Sequence, residues 1–158
     1  MDPRNRPVAS VTRLAAALLA LFPAACTSSV APEDEERRLG LISGFNNDDP
    51  RVILPDTVQA GVEFGVQVTT YGNGCKRKGE TQGELIGDTV VVTPNDYFNV
   101  GAGVCADILL SFVHEAVIVF EQEGEAHVRV VGRDRGVFPP EIMQVDHELF
   151  VRPARGPD

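Results

Sequence analysis

Apolar residues recur at every second position in several stretches between Leu39 and Val151, and this period constrains the fold more than any other feature of the chain. The runs 62–69, 116–121 and 126–131 follow it, with glycines and prolines between them. Successive side chains of a β-strand point to opposite faces, so the period is typical of half-buried strands. Residues 39–151 are therefore predicted to form an all-β domain of roughly seven to nine strands, as a two-sheet sandwich or, alternatively, a small closed barrel.

Two local structures are predicted within this pattern. The runs 116–121 and 126–131 flank a turn at Gly124, which is typical of an antiparallel hairpin. The β-branched run 89–93 is predicted to be a strand that stops at Pro94, because proline cannot donate a ladder hydrogen bond.

The first 25 residues have the organisation of a secretory signal peptide. Arg4, Arg6 and Arg13 outnumber Asp2 before an apolar run at 14–22, and small residues follow that run. A helix that spans a bilayer needs about 20 apolar residues, so the run is too short to remain as a membrane span. The sequence thus predicts export across a membrane.

The end of this segment, Ala24-Ala25-Cys26, resembles the lipobox of bacterial lipoproteins, although Pro23 stands where that family usually has leucine. The resemblance implies that Cys26 receives lipid and becomes the new N-terminus, and that Thr27 permits sorting to an outer membrane. The expected location is the cell envelope, on its periplasmic or surface side. Ordinary secretion, with cleavage after Cys26, is the alternative. The expected parts are a signal peptide, a lipid-anchored flexible tether, a β-domain and a disordered tail, over residues 1–25, 26–38, 39–151 and 152–158.

Removing the signal peptide leaves a strongly acidic chain. Three of the 14 basic residues and one of the 23 acidic residues lie in the first 25, so 133 residues with a net charge of −11 remain. An acidic surface of this kind repels nucleic acid, because phosphate binding depends on basic contacts. Nucleic acid is therefore excluded as a partner. The absence of tryptophan disfavours a stacking platform for sugars or bases. No cofactor is predicted.

Cys75 and Cys105 are the two cysteines that remain when Cys26 carries lipid. An even number in an exported chain favours a disulfide, because exported compartments are oxidising. Closing the 30-residue interval would stabilise the fold by about 3.6 kcal/mol in the chain-entropy model. Two separate buried thiols are the alternative.

The segment 54–64, with an extended start, a turn at Gly61 and an alternating end, resembles the opening of bacterial immunoglobulin-like envelope domains. The closing run around Gly124, followed by 128–130, is similar to their last two strands. The resemblance implies an immunoglobulin-like sandwich. The chain lacks the tryptophan and the long cysteine interval of antibody-type domains, so we expect the disulfide to hold loops or sheet edges rather than the centre of the core.

Residues that could carry chemistry lie in patterns typical of structural roles. Ser111 lacks the Gly-x-Ser-x-Gly context of a hydrolase nucleophile. His114, His127 and His147 are 13 and 20 residues apart, which is too far for a local zinc motif. The polar run 46–49 lacks the spacing of a calcium loop and is interpreted as a turn. No metal site is therefore predicted.

Lys76-Arg77-Lys78 is the most distinctive charged segment, because it follows Cys75 in an otherwise acidic domain. A basic loop held by a disulfide would dock an anionic partner at low ordering cost. The alternative is a solvated hairpin tip that limits edge-to-edge pairing of sheets.

The predicted function is a lipid-anchored binding or structural module of the cell envelope without catalytic activity, whose partner is an envelope protein or polymer. One alternative is an envelope hydrolase in which the fold brings together Glu115, Glu121 or Asp107 as acid and base. A second alternative is a protease inhibitor that presents a disulfide-held loop.

Overall fold

The computed structural model describes residues 34–43, 49–134 and 139–154, and these ranges contain nine β-strands and no helix. Alternating apolar residues, many of them β-branched, favour extended backbone over helix. The strands in chain order are β1 (Glu35–Leu39), β2 (Val52–Ile53), β3 (Thr57–Gln59), β4 (Phe64–Gly72), β5 (Lys76–Ile86), β6 (Thr89–Asn99), β7 (Leu110–Ile118), β8 (Gly124–Arg133) and β9 (Ile142–Arg152).

The larger sheet has six strands and is organised around β6. One edge of β6 pairs with β5, and the other pairs with β8 near Val90 and with β1 near Tyr97. The sheet continues from β8 to β9 and then to β3. The smaller sheet has the order β2-β4-β7 and is antiparallel throughout. In the larger sheet, β6 and β8 are parallel, as are β3 and β9, and the other pairs are antiparallel.

Both sheets contribute inward side chains to one apolar core. Val66 and Val68 of the smaller sheet and Val92, Val128 and Val130 of the larger sheet are almost fully buried and belong to the same cluster. Burial of such apolar surface is the main stabilising contribution to a fold of this kind. The predicted all-β domain with two sheets is confirmed, and the arrangement is consistent with a β-sandwich.

The predicted hairpin across Gly124 is wrong. β7 pairs with β4, whereas β8 pairs with β6 and β9, so the two runs belong to different sheets. In the loop that joins them, Phe120 is buried and its ring centroid lies 5.8 Å from that of Phe64. The alternation is the same for a hairpin and for an arch between facing sheets, because apolar side chains point to the core in both. Burial of Phe120 favours the arch.

β6 runs through Pro94 instead of stopping there, so the predicted end of this strand is also wrong. Proline lacks the N–H that a ladder needs, and β5 bulges opposite it. The pairing register shifts by one residue between Lys78 and Thr81. The carbonyl of Pro94 accepts a hydrogen bond from the Gly40 N–H at 2.9 Å. The ladder therefore continues past the proline.

β1 occupies part of the segment whose charge pattern predicted a tether. It pairs antiparallel with the last five residues of β6. A strand at this position pairs through its backbone, so dense charge on its side chains does not prevent it. The guanidinium of Arg38 lies 4.2 Å from the ring centroid of Phe98, within the range of a cation–π interaction. The strands thus extend from Glu35 to Arg152, and residues 1–33 and 155–158 lie outside the described ranges.

Gly79 in the β5 bulge offers a test of this packing. A Cβ atom there would lie 2.5 Å from the backbone oxygen of Asn95, so the backbone would have to shift. We expect Gly79→Ala to lower the free energy of unfolding by about 1–3 kcal/mol in urea titration. Gly83→Ala is the matched control on the same strand, because nothing lies within 4 Å of its Cβ position. Equal stability of the two variants would contradict the bulge geometry.

Candidate functional site

Four polar side chains meet between the two sheets, and we call Thr70, Thr81, Asp96 and His114 the buried polar cluster. His114 Nε2 lies 3.0 Å from Thr70 Oγ1 and 3.1 Å from Asp96 Oδ1. His114 Nδ1 lies 3.1 Å from Thr81 Oγ1, and the Thr70 hydroxyl donates to Asp96 Oδ1 at 3.0 Å. Thr70, Asp96 and His114 are at most 1% exposed, so the cluster is part of the core.

Members of the cluster occupy inward positions of their strands. Thr70 continues the phase of Val68 in β4, and His114 shares the phase of Ala116 in β7. Asp96 lies at a buried position of β6. Extending the two-residue period to the end of each strand would have revealed that these side chains are buried. Their mutual contact had no sequence signal, because 18 to 44 residues separate His114 from Asp96 and Thr70.

A hydroxyl, an imidazole and a carboxylate in contact have the composition of a nucleophilic triad. In such a triad, the carboxylate and the nucleophile bond to opposite nitrogens of the imidazole. Here Thr70 and Asp96 share His114 Nε2, whereas Thr81 contacts Nδ1, opposite Asp96. Thr70, Asp96 and His114 are buried away from solvent, and Thr81 is partly buried. These contacts satisfy polar groups inside the fold.

Two buried polar atoms, Asp96 Oδ2 and His147 Nε2, have no hydrogen-bond partner among the residues that the structure describes. Arg133 interacts with Asp96 electrostatically and donates from Nε to the Leu39 carbonyl at 2.7 Å. Burial lowers the pKa of the Arg133 guanidinium, and repulsion from Arg38 acts in the same direction, whereas attraction to Asp96 opposes both. The charge of Asp96 thus has a cationic neighbour outside the cluster.

The acidic residues proposed for a hydrolase are not gathered at one place. Glu115 is exposed on β7 and accepts a hydrogen bond from Gln67 at 3.1 Å. Asp107 precedes β7, and Glu121 follows it at the opposite end of that strand. Ser111 is exposed near the start of the same strand. In the described ranges, no three His, Cys, Asp or Glu side chains are placed to hold a metal ion.

Lys76, Arg77 and Lys78 are the first three residues of β5, so their predicted loop conformation is wrong. The guanidinium of Arg77 lies 4.2 Å from the ring centroid of Tyr97 and forms hydrogen bonds and a salt bridge with Glu35. These hydrogen bonds lower the pKa of Glu35 and raise the pKa of Arg77. Lys76 Nζ donates to a β4 carbonyl at 3.4 Å. Two of the three cations thus have partners within the domain, and docking by this segment stays a prediction.

The predicted disulfide is present, with the Cα atoms of Cys75 and Cys105 5.2 Å apart. Cys75 immediately precedes β5, and Cys105 lies in the loop between β6 and β7. Gly74 N–H donates to the Ala106 carbonyl at 3.1 Å, and Asn99 N–H donates to the Cys75 carbonyl at 2.9 Å. The disulfide therefore joins a loop to a sheet edge, as expected. The predicted lipidation site, Cys26, lies outside the described residues.

A groove of about 380 Å³ opens at the opposite end of β5, beside the turn to β6. Its lining includes Leu85 and Phe120. Leu85 is 52% exposed although its cross-strand partner, Val90, is buried in the core. Four exposed acidic residues also line the groove, namely Asp88, Glu121, Glu123 and Glu125.

The backbone of β5 is also open beside this groove. Within the described ranges β5 pairs only with β6, and β7 pairs only with β4, so each has an edge without ladder hydrogen bonds. The two strands lie close together where Thr81 contacts His114, whereas residues 82–86 of β5 are exposed. A larger and more open depression of about 540 Å³ lies beside β3, and Arg152 is the single charged residue in its lining. The groove at the end of β5 is therefore the better candidate binding site, because it combines apolar surface, one sign of charge and unpaired backbone groups.

The described part of the chain contains no helix of the length and apolar character needed to cross a membrane. Comparisons with models of protein families, with curated proteins and with solved structures found no match.

Proposed function

We propose that this protein is an exported, lipid-anchored module of the cell envelope with an immunoglobulin-like fold, and that it binds an extended basic segment of a partner protein at the β5 edge. It acts by binding and not by catalysis. The free edge of β5 beside the acidic groove carries this proposal.

The order of features in the N-terminal sequence supports the proposed location in the cell envelope. A basic start, a short apolar run and Ala24-Ala25-Cys26 follow one another as they do in bacterial lipoproteins. The Cys75–Cys105 disulfide supports an oxidising compartment, where such bonds persist. Lipid on Cys26 would hold the domain at a membrane surface.

Two observations support the immunoglobulin-like assignment. Two sheets face one core, and most strand pairs are antiparallel. The segment 54–64, which carried the resemblance, contains β3, a turn at Gly61 with φ of 72° and the start of β4. A glycine suits that turn because its φ lies in the left-handed region.

The free edge of β5 supports binding of an extended chain. Unpaired N–H and C=O groups of an edge strand accept another strand, and pockets beside the edge then select its side chains. Residues 82–86 of β5 are exposed, and Leu85 is half exposed among them. This part of the edge therefore offers unpaired backbone groups and an apolar surface for an added strand to cover.

The charge of the groove selects the partner's chemistry. Asp88, Glu121, Glu123 and Glu125 line it without a cationic residue among the lining side chains. A segment that alternates apolar residues with lysine or arginine would place its apolar side chains on Leu85 and its cations near the carboxylates. An acidic segment would be repelled.

Binding can be tested with a synthetic peptide that alternates valine and lysine, and with a valine–glutamate peptide of the same length as its control. The full chain, purified in detergent from bacterial membranes, is titrated with each labelled peptide in fluorescence anisotropy. We expect the lysine peptide alone to bind and its affinity to fall with salt. We expect Leu85→Lys to weaken binding by about tenfold or more, because one apolar contact is lost and a like charge is added.

Val117→Lys is the matched control variant, because Val117 is an exposed apolar residue on the other free-edged strand, 70% exposed. It is expected to bind the lysine peptide like the unmodified chain. Equal binding of the two peptides, or equal affinity of the two variants, would refute the β5 edge as the binding site. Intact-mass analysis of the same preparation tests the proposed lipid anchor, since the proposal requires an acylated N-terminal Cys26.

A further inference from the structure

The loop between β6 and β7 carries a cluster of exposed apolar residues. Val104 is 91% exposed, and Val100, Ile108 and Leu109 are each between 52% and 54% exposed. Single exposed hydrophobic residues are common on soluble proteins, whereas larger exposed apolar patches mark sites of contact with a protein, a membrane or a ligand. The loop 100–109 is therefore a candidate contact surface.

This loop is held at both ends. The disulfide fixes Cys105 to the start of β5, and the Gly74 N–H binds the carbonyl of Ala106 at 3.1 Å. At the other end, the Val100 N–H donates to the Asp34 carbonyl at 2.7 Å. These restraints present Val104 on a loop whose ordering is already achieved by folding, so contact with an apolar phase needs little further ordering.

The same loop lies beside the start of the described domain. A Cβ atom on Gly101 would be 3.1 Å from Cγ of Asp34, which places the loop against the residue that precedes β1. Asp34 lies eight positions after Cys26 in the chain. A fully extended chain of that length spans at most about 29 Å. A lipid on Cys26 would therefore keep this end of the domain close to the bilayer surface.

From these observations we infer that the loop 100–109 inserts its apolar side chains into the interfacial layer of the membrane that holds the Cys26 lipid, an inference that rests on the proposed anchor. Asp34 lies beside the loop and Asp107 lies in it. Anionic headgroups would repel these carboxylates, so a zwitterionic surface is the better fit. The acidic groove lies at the other end of β5. Roughly 33 Å of strand separate it from the disulfide.

The absence of tryptophan from the sequence permits a direct test. Val104→Trp places a single fluorophore in the loop, and Val117→Trp places one at a similarly exposed position near the far end of β7. Each full chain is purified from bacterial membranes and reconstituted into phosphatidylcholine vesicles with or without brominated acyl chains. We expect brominated lipid to quench Val104→Trp several-fold more than Val117→Trp, with a blue-shifted emission for Val104→Trp.

Each result decides a different point. Quenching confined to Val104→Trp supports the inference. Weak quenching of both variants in protein that is acylated and membrane-bound overturns loop insertion while leaving the anchor and the binding proposal intact. Equal strong quenching of both variants also overturns it. A chain that lacks acylated Cys26 and does not partition into vesicles overturns the anchor and this inference together. Val100→Trp provides a second reporter in the same loop.

Discussion

We expect His114→Leu to lower the free energy of unfolding by about 3–5 kcal/mol, because it leaves a buried carboxylate without its imidazole partner. Asp96 is 1% exposed, and its Oδ1 is bonded by Thr70 and contacted by His114 Nε2. Its Oδ2 has no hydrogen-bond partner among the described residues, so loss of His114 would leave the carboxylate with the Thr70 hydroxyl as its described hydrogen-bond donor. Urea titration followed by circular dichroism measures the change. His127→Leu, a histidine at a partly exposed position of β8, is the control and should change stability by less than about 0.5 kcal/mol.

A double-mutant cycle separates the interaction between His114 and Asp96 from the cost of losing each side chain alone. Asp96→Leu should also destabilise strongly, because the imidazole and the Thr70 hydroxyl lose an acceptor. The double variant His114→Leu/Asp96→Leu should lose less than the sum of the single losses, by about 1 kcal/mol or more, because neither polar group is then stranded. Strict additivity would mean that the two side chains do not stabilise each other.

The second large effect is expected from removal of the disulfide. The double variant Cys75→Ala/Cys105→Ala should lose about 3.6 kcal/mol, because the unfolded chain regains the freedom of a 30-residue loop. For a domain of this size, the midpoint of thermal unfolding should fall by about 10 °C or more. Differential scanning calorimetry in the absence of reductant measures the change directly.

Reduction of the unmodified protein provides the control for this variant. Its stability in dithiothreitol should approach that of the double alanine variant without reductant, and the variant itself should not respond to dithiothreitol. A loss below about 1 kcal/mol would show that the hydrogen bonds of Gly74 and Asn99 suffice to hold the loop. Cys26 does not enter this comparison, since it is unchanged in both proteins.

The apolar period predicted strands where it was strong and missed them where it was weak. The runs in β4, β8 and β9 alternate clearly, and each is a strand. β5 has the sequence KRKGETQGELI and is mostly exposed, so no inward stripe marked it as a strand. Backbone pairing to β6 forms β5, and a polar composition is common for strands at a sheet edge.

Pairing between strands was less predictable than the strands themselves. An alternating run indicates which side chains face the core, but not which neighbour its backbone bonds to. The alternation around Phe120 predicts a hairpin as readily as an arch for this reason, since either connection buries the same face. The buried polar cluster shows the same limit, because Thr70, Asp96 and His114 come from three strands whose sequences contain no shared signal. The disulfide was predictable because two cysteines remain to pair once Cys26 is set aside as the predicted lipidation site.

The direction of β1 has a mechanical consequence. Its first residue pairs with the last residue of β6, so a tension applied through residue 34 and resisted at the far end of the β5–β6 hairpin acts along the strand axis. Under such shear, the backbone hydrogen bonds between β1 and β6 bear the load together instead of rupturing one after another. If the domain were pulled between an anchor and a bound partner, β1 would thus detach from β6 only at high force.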